Sequence, residues 1–95
     1  MIISTTHIDT EDGERIVKRL CNHWKNKFKV SKVNGKFAIP LPEADVLLEA
    51  TPVQMLIHIK TKQADLVKKY QKIVMNRLNR MAEHEFNTSW VTTPI

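Results

Sequence analysis

Three groupings of side chains in this chain could carry chemistry. They are the Cys21-x-His23 pair followed directly by Trp24, the isolated His58, and His84 between Glu83 and Glu85 with His7 far upstream. A thiolate and an imidazole are good zinc ligands, but two ligands on one helix must stand at i and i+3 or i+4 to share a metal. Cys21 and His23 are two positions apart, about 200° around a helix, so they point to nearly opposite sides. Cys21 falls on the apolar stripe Ile16, Val17, Leu20, Cys21, Trp24 and reads as a small buried hydrophobe. His23, at the end of the same helix, is left to stabilise the negative helix pole or to line a surface pocket.

His58 gains interest from its hairpin. If Thr51-Pro52 is a two-residue turn, Ala50 faces Val53, Leu48 faces Met55, Val46 faces Ile57, and Asp45 faces His58. That last pair would be a carboxylate-oriented imidazole, half of an acid–base unit. It has no identifiable nucleophile or metal beside it, and a cross-strand salt bridge is the plainer reading. His7 and His84 would approach each other only if the first and last strands are neighbours. Glu83 and Glu85 would then complete a His/carboxylate cluster, although the spacing matches no metal signature. The only glycines are Gly13 and Gly35, so there is no glycine-rich phosphate loop. No catalytic residue, metal-ligand set or cofactor is assigned, and no enzymatic activity follows from these residues.

The elements that must position these groups are legible from periodicity. Residues 2–8 are rich in β-branched types and predict a strand. The acids at 9–12 offer an N-cap and suit the positive end of a helix that runs to Trp24–Asn26. Asn34-Gly35 predicts a two-residue hairpin turn in which Val33 faces Lys36, Val30 faces Ile39 and Phe28 faces Leu41. Phe28 and Phe37 then belong to the core face, which leaves no aromatic platform for stacking RNA bases. Pro40 and Pro42 bracket Leu41, as at an edge or a bend. The Thr51-Pro52 hairpin follows. A long helix is expected from Lys62 to about Glu83, roughly 33 Å, with Leu66, Val67, Tyr70, Ile73, Val74, Leu78 and Met81 as its apolar stripe. Phe86–Val91 is expected to close the chain as a strand, with 92–95 a frayed tail. The order β-α-β-β-β-β-α-β predicts a single α+β domain over 1–95, an antiparallel sheet with two helices packed on one face. The other face would carry Lys27, Lys29, Lys36, Asp45, Leu47, Glu49, Leu56 and His58, either solvated or used for function or dimerisation.

Charge narrows the partners. The chain of 95 residues has a net charge of +5. Residues 15–36 hold eight Lys or Arg and no acid, and residues 60–80 hold seven against Asp65 alone. These runs suit either a solvated basic face or a non-specific nucleic-acid-binding module. A single cysteine excludes an internal disulfide, and with no charged-then-apolar leader the expected compartment is a reducing cytoplasm. No apolar run approaches the ~20 residues that span a bilayer.

The stretch Leu20-Cys21-Asn22-His23-Trp24, the two hairpins, and Leu78-Asn79-Arg80-Met81-Ala82 before a strand containing Trp90 together resemble an uncharacterised bacterial family, domain of unknown function 2218. The resemblance spans nearly the whole chain. Its members are small stand-alone proteins or C-terminal domains of flavin-containing siderophore-interacting proteins. It therefore implies a non-catalytic accessory or interaction module linked to iron and siderophore utilisation, with such a reductase or a second copy as partner. It also implies the matching positions Cys21, His23, Arg80 and Ala82. Many members are expected to place a histidine just before Leu78, where this chain has Arg77, so a role that needs that histidine is not carried over. The ligand-binding candidates are His23, Trp24, His58, Asp45 and Arg80. A homodimer would form through the open sheet face. A small metal- or cofactor-dependent enzyme centred on His23 or His58 is the third, least favoured reading.

Overall fold

The Asn34-Gly35 turn forms as its residue types dictate. Both residues adopt positive φ, 52° and 80°, the conformation that matches a tight turn to the twist of its strands. The computed structural model describes residues 1–86 and 88–94. Its elements are β1 (Ile2–Asp9), α1 (Gly13–Trp24), β2 (Ser31–Val33), β3 (Lys36–Leu41), β4 (Ala44–Ala50), β5 (Gln54–Thr61), a short 3-10 turn (Ala64–Leu66), α2 (Val67–Ala82) and β6 (Val91–Pro94). The strands make one antiparallel sheet in the order β2-β3-β4-β5-β1-β6. The predicted α+β class, with two helices on one face, is the observed one. Among the described residues, no helix is long and apolar enough to cross a membrane.

The core lies between the sheet and the helices. Val46, Leu48, Met55, Ile57 and Ile59 line the inner sheet face against Ile16, Val17, Leu20 and Trp24 of α1 and Tyr70, Val74 and Leu78 of α2. Each of these side chains is almost fully buried, at 4% exposure or less, and fully burying one large apolar side chain stabilises by roughly 2 kcal/mol. Gly13 begins α1 where space is short: a Cβ there would sit 3.3 Å from the Gln54 carbonyl oxygen and 3.4 Å from Met55 Cβ. The start of the helix is thereby seated directly on the β4–β5 hairpin.

Four differences from the sequence reading have physical causes. The β4–β5 hairpin pairs Ala50 with Met55, Leu48 with Ile57 and Val46 with Ile59, so its loop holds the four residues 51–54 rather than two. A tight hairpin turn needs positive φ at its first central residue, and the type I′ form needs it at both. Thr51 is poorly suited to that, and proline at position 52 cannot adopt it. The Thr51 hydroxyl instead organises the wider loop: its oxygen accepts from the amides of Val53 (3.3 Å) and Gln54 (3.0 Å). The register therefore moves by two residues. Every side chain keeps its face, but Asp45 now opposes Lys60, and His58 opposes Leu47.

A further turn, Pro42-Glu43, joins β3 to β4 by pairing Leu41 with Ala44, which makes β2–β5 a continuous meander. Pro40 lies beyond Ser31–Ala38, the last pair that β2 makes with β3, so its missing amide faces no partner strand. The second long helix is shorter than expected, because Ala64–Leu66 takes the 3-10 form ahead of α2. The tail expected at 92–95 contributes most of β6, which pairs Ile2 with Pro94 and Thr5 with Val91. Of Phe86–Val91, expected as that strand, Val91 opens β6, and the stretch before it contains a residue outside the described set. Its described part is tied down by side chains. Thr6 Oγ1 donates to the Ser89 carbonyl (2.9 Å) and is hydrogen-bonded to Thr88 Oγ1, while Ser4 Oγ lies 3.3 Å from Thr92 Oγ1.

Candidate functional site

The sheet face away from the helices is uncovered, and its side chains fall into cross-strand rows fixed by register. One row reads Ser31, Ala38, Leu47, His58, Thr5 from β2 to β1. The next reads Pro40, Asp45, Lys60, Ile3. Lys29, in the loop just before β2, also lines this face. Between the two rows runs a groove of about 430 Å³. Its middle is made by the short side chain of Ala38, the ring of Pro40 and the half-buried Leu47. Longer neighbours stand around them, so the floor is apolar while Lys29, Asp45, His58 and Lys60 form the polar ends and rim.

The charges around the groove are unevenly matched. Lys36, on the same face one row further along, meets Glu49 at 3.9 Å. Neither Lys29 nor Lys60 makes an ion pair among the described residues, although Lys60 stands across from Asp45. Asp45 and His58 are diagonal neighbours on adjacent strands, a relation that typically separates them by about 7–8 Å. The acid–base dyad expected from a two-residue turn is corrected by the register: the residue across from His58 on β4 is Leu47, and on β1 it is Thr5.

The remaining sequence candidates are scattered. Trp24 is 4% exposed, its ring packed edge-on against Phe28 with centroids 6.4 Å apart. It is a core residue. His23 is exposed in the last turn of α1. Arg80 is exposed in the last turn of α2, on the helix layer and remote in register from the open face. Of the five candidates, only Asp45 and His58 are brought into one site. Cys21 is 6% exposed, and burial pushes its thiol up to about 11. It stays protonated near neutrality, so it supplies neither a nucleophile nor a thiolate ligand. His84 stacks edge-on against Phe86 at 4.8 Å, and no group of three or more His, Cys, Asp or Glu residues is placed to hold a metal among the described residues.

Lys29 was expected on this face from sequence, whereas Lys60, Ala38, Pro40 and Ile3 were not singled out as groove residues. Correct register was the signal that would have assembled them. The unfavourable turn chemistry of Thr51-Pro52 pointed to that register.

Two helices on one side and a bare, grooved antiparallel sheet on the other define a small single-sheet α+β domain. The chain belongs to the family described as uncharacterised proteins conserved in bacteria, DUF2218, whose model matches residues 5–91. The NMR structure of PA4090 from Pseudomonas aeruginosa has a similar fold, with a TM-score of 0.79 and 33% identity over 96% of each chain. No curated protein matches the chain.

Proposed function

We propose that this chain is a non-catalytic binding module, working in the cytoplasm, whose open sheet face is its recognition surface. The observation that carries the reading is the apolar groove across that face. A face meant only for solvent would alternate polar side chains outward, but here Ile3, Ala38, Leu47 and Leu56 point away from the core. The setting comes from the family resemblance alone: an accessory role in iron and siderophore utilisation, beside a flavin-dependent siderophore-interacting reductase. The test is a titration of isotope-labelled chain with such a reductase from the same source, following backbone amides by NMR. Shifts centred on Ala38, Leu47 and His58, lost in Leu47→Glu, are expected. Binding confined to the helix layer, or none at all, would sink the reading.

A second reading is supported by α2. Val67–Ala82 contains Lys68, Lys69, Lys72, Arg77 and Arg80 and no acid, a helix suited to tracking phosphates without sequence preference. Random duplex DNA in the same titration distinguishes the two. Shifts along α2 that fade with added salt favour the nucleic-acid reading.

A further inference from the structure

We propose that the groove on the open sheet face takes a small amphipathic anion: a flat apolar body with an acidic group at one end and a hydrogen-bonding group at the other. This rests on the reading of the open face as the recognition surface, and it adds the chemistry of the occupant. The groove's volume of about 430 Å³ falls within the usual range for small-molecule sites, roughly 300–1,000 Å³. Its floor of Ala38, Pro40 and Leu47 can bury only an apolar body.

The polar groups then set the direction. Lys60 stands on β5 and Lys29 in the loop just before β2, and both line the groove. Asp45 lies directly across from Lys60 and offsets its charge. Among the described residues that line the groove, Asp45 is the one carboxylate, so two lysines against it leave a net positive charge, which we place at the Lys29 end. The acidic group belongs there, where it meets an ammonium and the Ser31 hydroxyl at the start of β2. The opposite end, with Asp45, His58 and Lys60, offers both acceptors and donors and suits a hydroxyl or an amine.

A cationic ligand would meet Lys29 at one end and have to share Asp45 with the facing Lys60 at the other. A neutral apolar one would leave both ends unused. Lysine stems also extend an apolar wall while keeping the charge at the rim, which is how a shallow site desolvates the ligand body without burying its acid.

The probes are 8-anilinonaphthalene-1-sulfonate and N-phenyl-1-naphthylamine, which share an aromatic body and differ by the sulfonate. Amide shifts on labelled chain locate each probe, and fluorescence titration at low salt gives its affinity. The sulfonate is expected to bind at one saturable site, with shifts at Ser31, Ala38, Leu47 and His58, and more tightly than the neutral amine. Lys29→Gln is expected to weaken the sulfonate about five- to tenfold, Lys60→Gln clearly less, and neither to change the neutral amine. Both lysines are exposed, so the variants keep the fold, which their amide spectra check. Equal binding of the two probes in the groove, or an unchanged sulfonate affinity in Lys29→Gln, overturns the anion assignment while leaving the open-face reading intact. If neither probe perturbs the groove, the inference falls, and the reductase titration separately decides the reading beneath it.

Discussion

At the scale of single residues, Cys21 shows how position overrides chemical type. The same thiol that would bind zinc or attack an electrophile on an exposed helix is held protonated by the apolar surroundings of α1. Its ordinary value of 9.0 rises to about 11 in the folded chain. The folded state therefore holds this proton more tightly than the unfolded one. The contribution to stability is complete below about pH 9 and is lost as pH rises from 9 towards 11. Chemical denaturation at pH 8 and pH 10.5 is expected to show a drop in unfolding free energy that shrinks in Cys21→Ala. The native thiol is also expected to resist iodoacetamide at pH 8 and to react once the chain is unfolded. Cys21 and Trp24 were correctly legible as core residues because helical periodicity is a local property. The Asp45–His58 pair was not, because a cross-strand neighbour depends on the loop that sets the register, and one hydroxyl, that of Thr51, holds that loop open.

At the scale of elements, the end of α2 stores a small amount of backbone strain. Glu83 occupies the left-handed region with φ of 56°, where a Cβ crowds the following peptide. The turn is worth keeping for its hydrogen bonds. The amides of Glu83 and His84 donate to the carbonyls of Arg80 (3.3 Å) and Asn79 (3.2 Å), and the Asn79 side-chain oxygen accepts from the Phe86 amide (3.1 Å). Glycine fits this position without the penalty, so Glu83→Gly is expected to stabilise the fold by about 1 kcal/mol, read as a higher denaturant midpoint at unchanged slope. The helices and the Asn34-Gly35 turn could be read from sequence because each carries its own period or turn signature, although β2 begins only at Ser31, so the Val30–Ile39 and Phe28–Leu41 pairs expected for that hairpin do not form. A closing strand could be expected too, but not its place at Val91–Pro94. Thr92 and Thr93 have no apolar alternation, and β6 exists because Ser4 and Thr6 of β1 bond the segment around it through hydroxyls, partners more than 80 positions away in the chain.

At the scale of the whole molecule, the two faces of the sheet divide the labour. The inner face and the helices bury the core, while the outer face is free to carry side chains that contribute little to folding. The basic charge is divided as well: an acid-free helix on one side and two lysines at an apolar groove on the other. Fold class followed from the order of elements alone. The groove did not, since it is a property of two adjacent rows drawn from four strands and a preceding loop.

The lengths of the outermost strands set how copies of this protein treat one another. β2 spans three residues and β6 four, so each outermost strand presents only a few backbone donors and acceptors. Lys32 and its neighbour Lys29 add like charge to the β2 rim. Strand-to-strand growth from molecule to molecule, the first step towards fibrillar deposits, is therefore starved of template and opposed by repulsion. Sedimentation at rising concentration in low salt is expected to show no open-ended association. Replacing Lys29 and Lys32 together by Thr is expected to introduce it. A face-to-face pairing of two copies would, by contrast, close on itself and leave no sheet face for a third molecule to join.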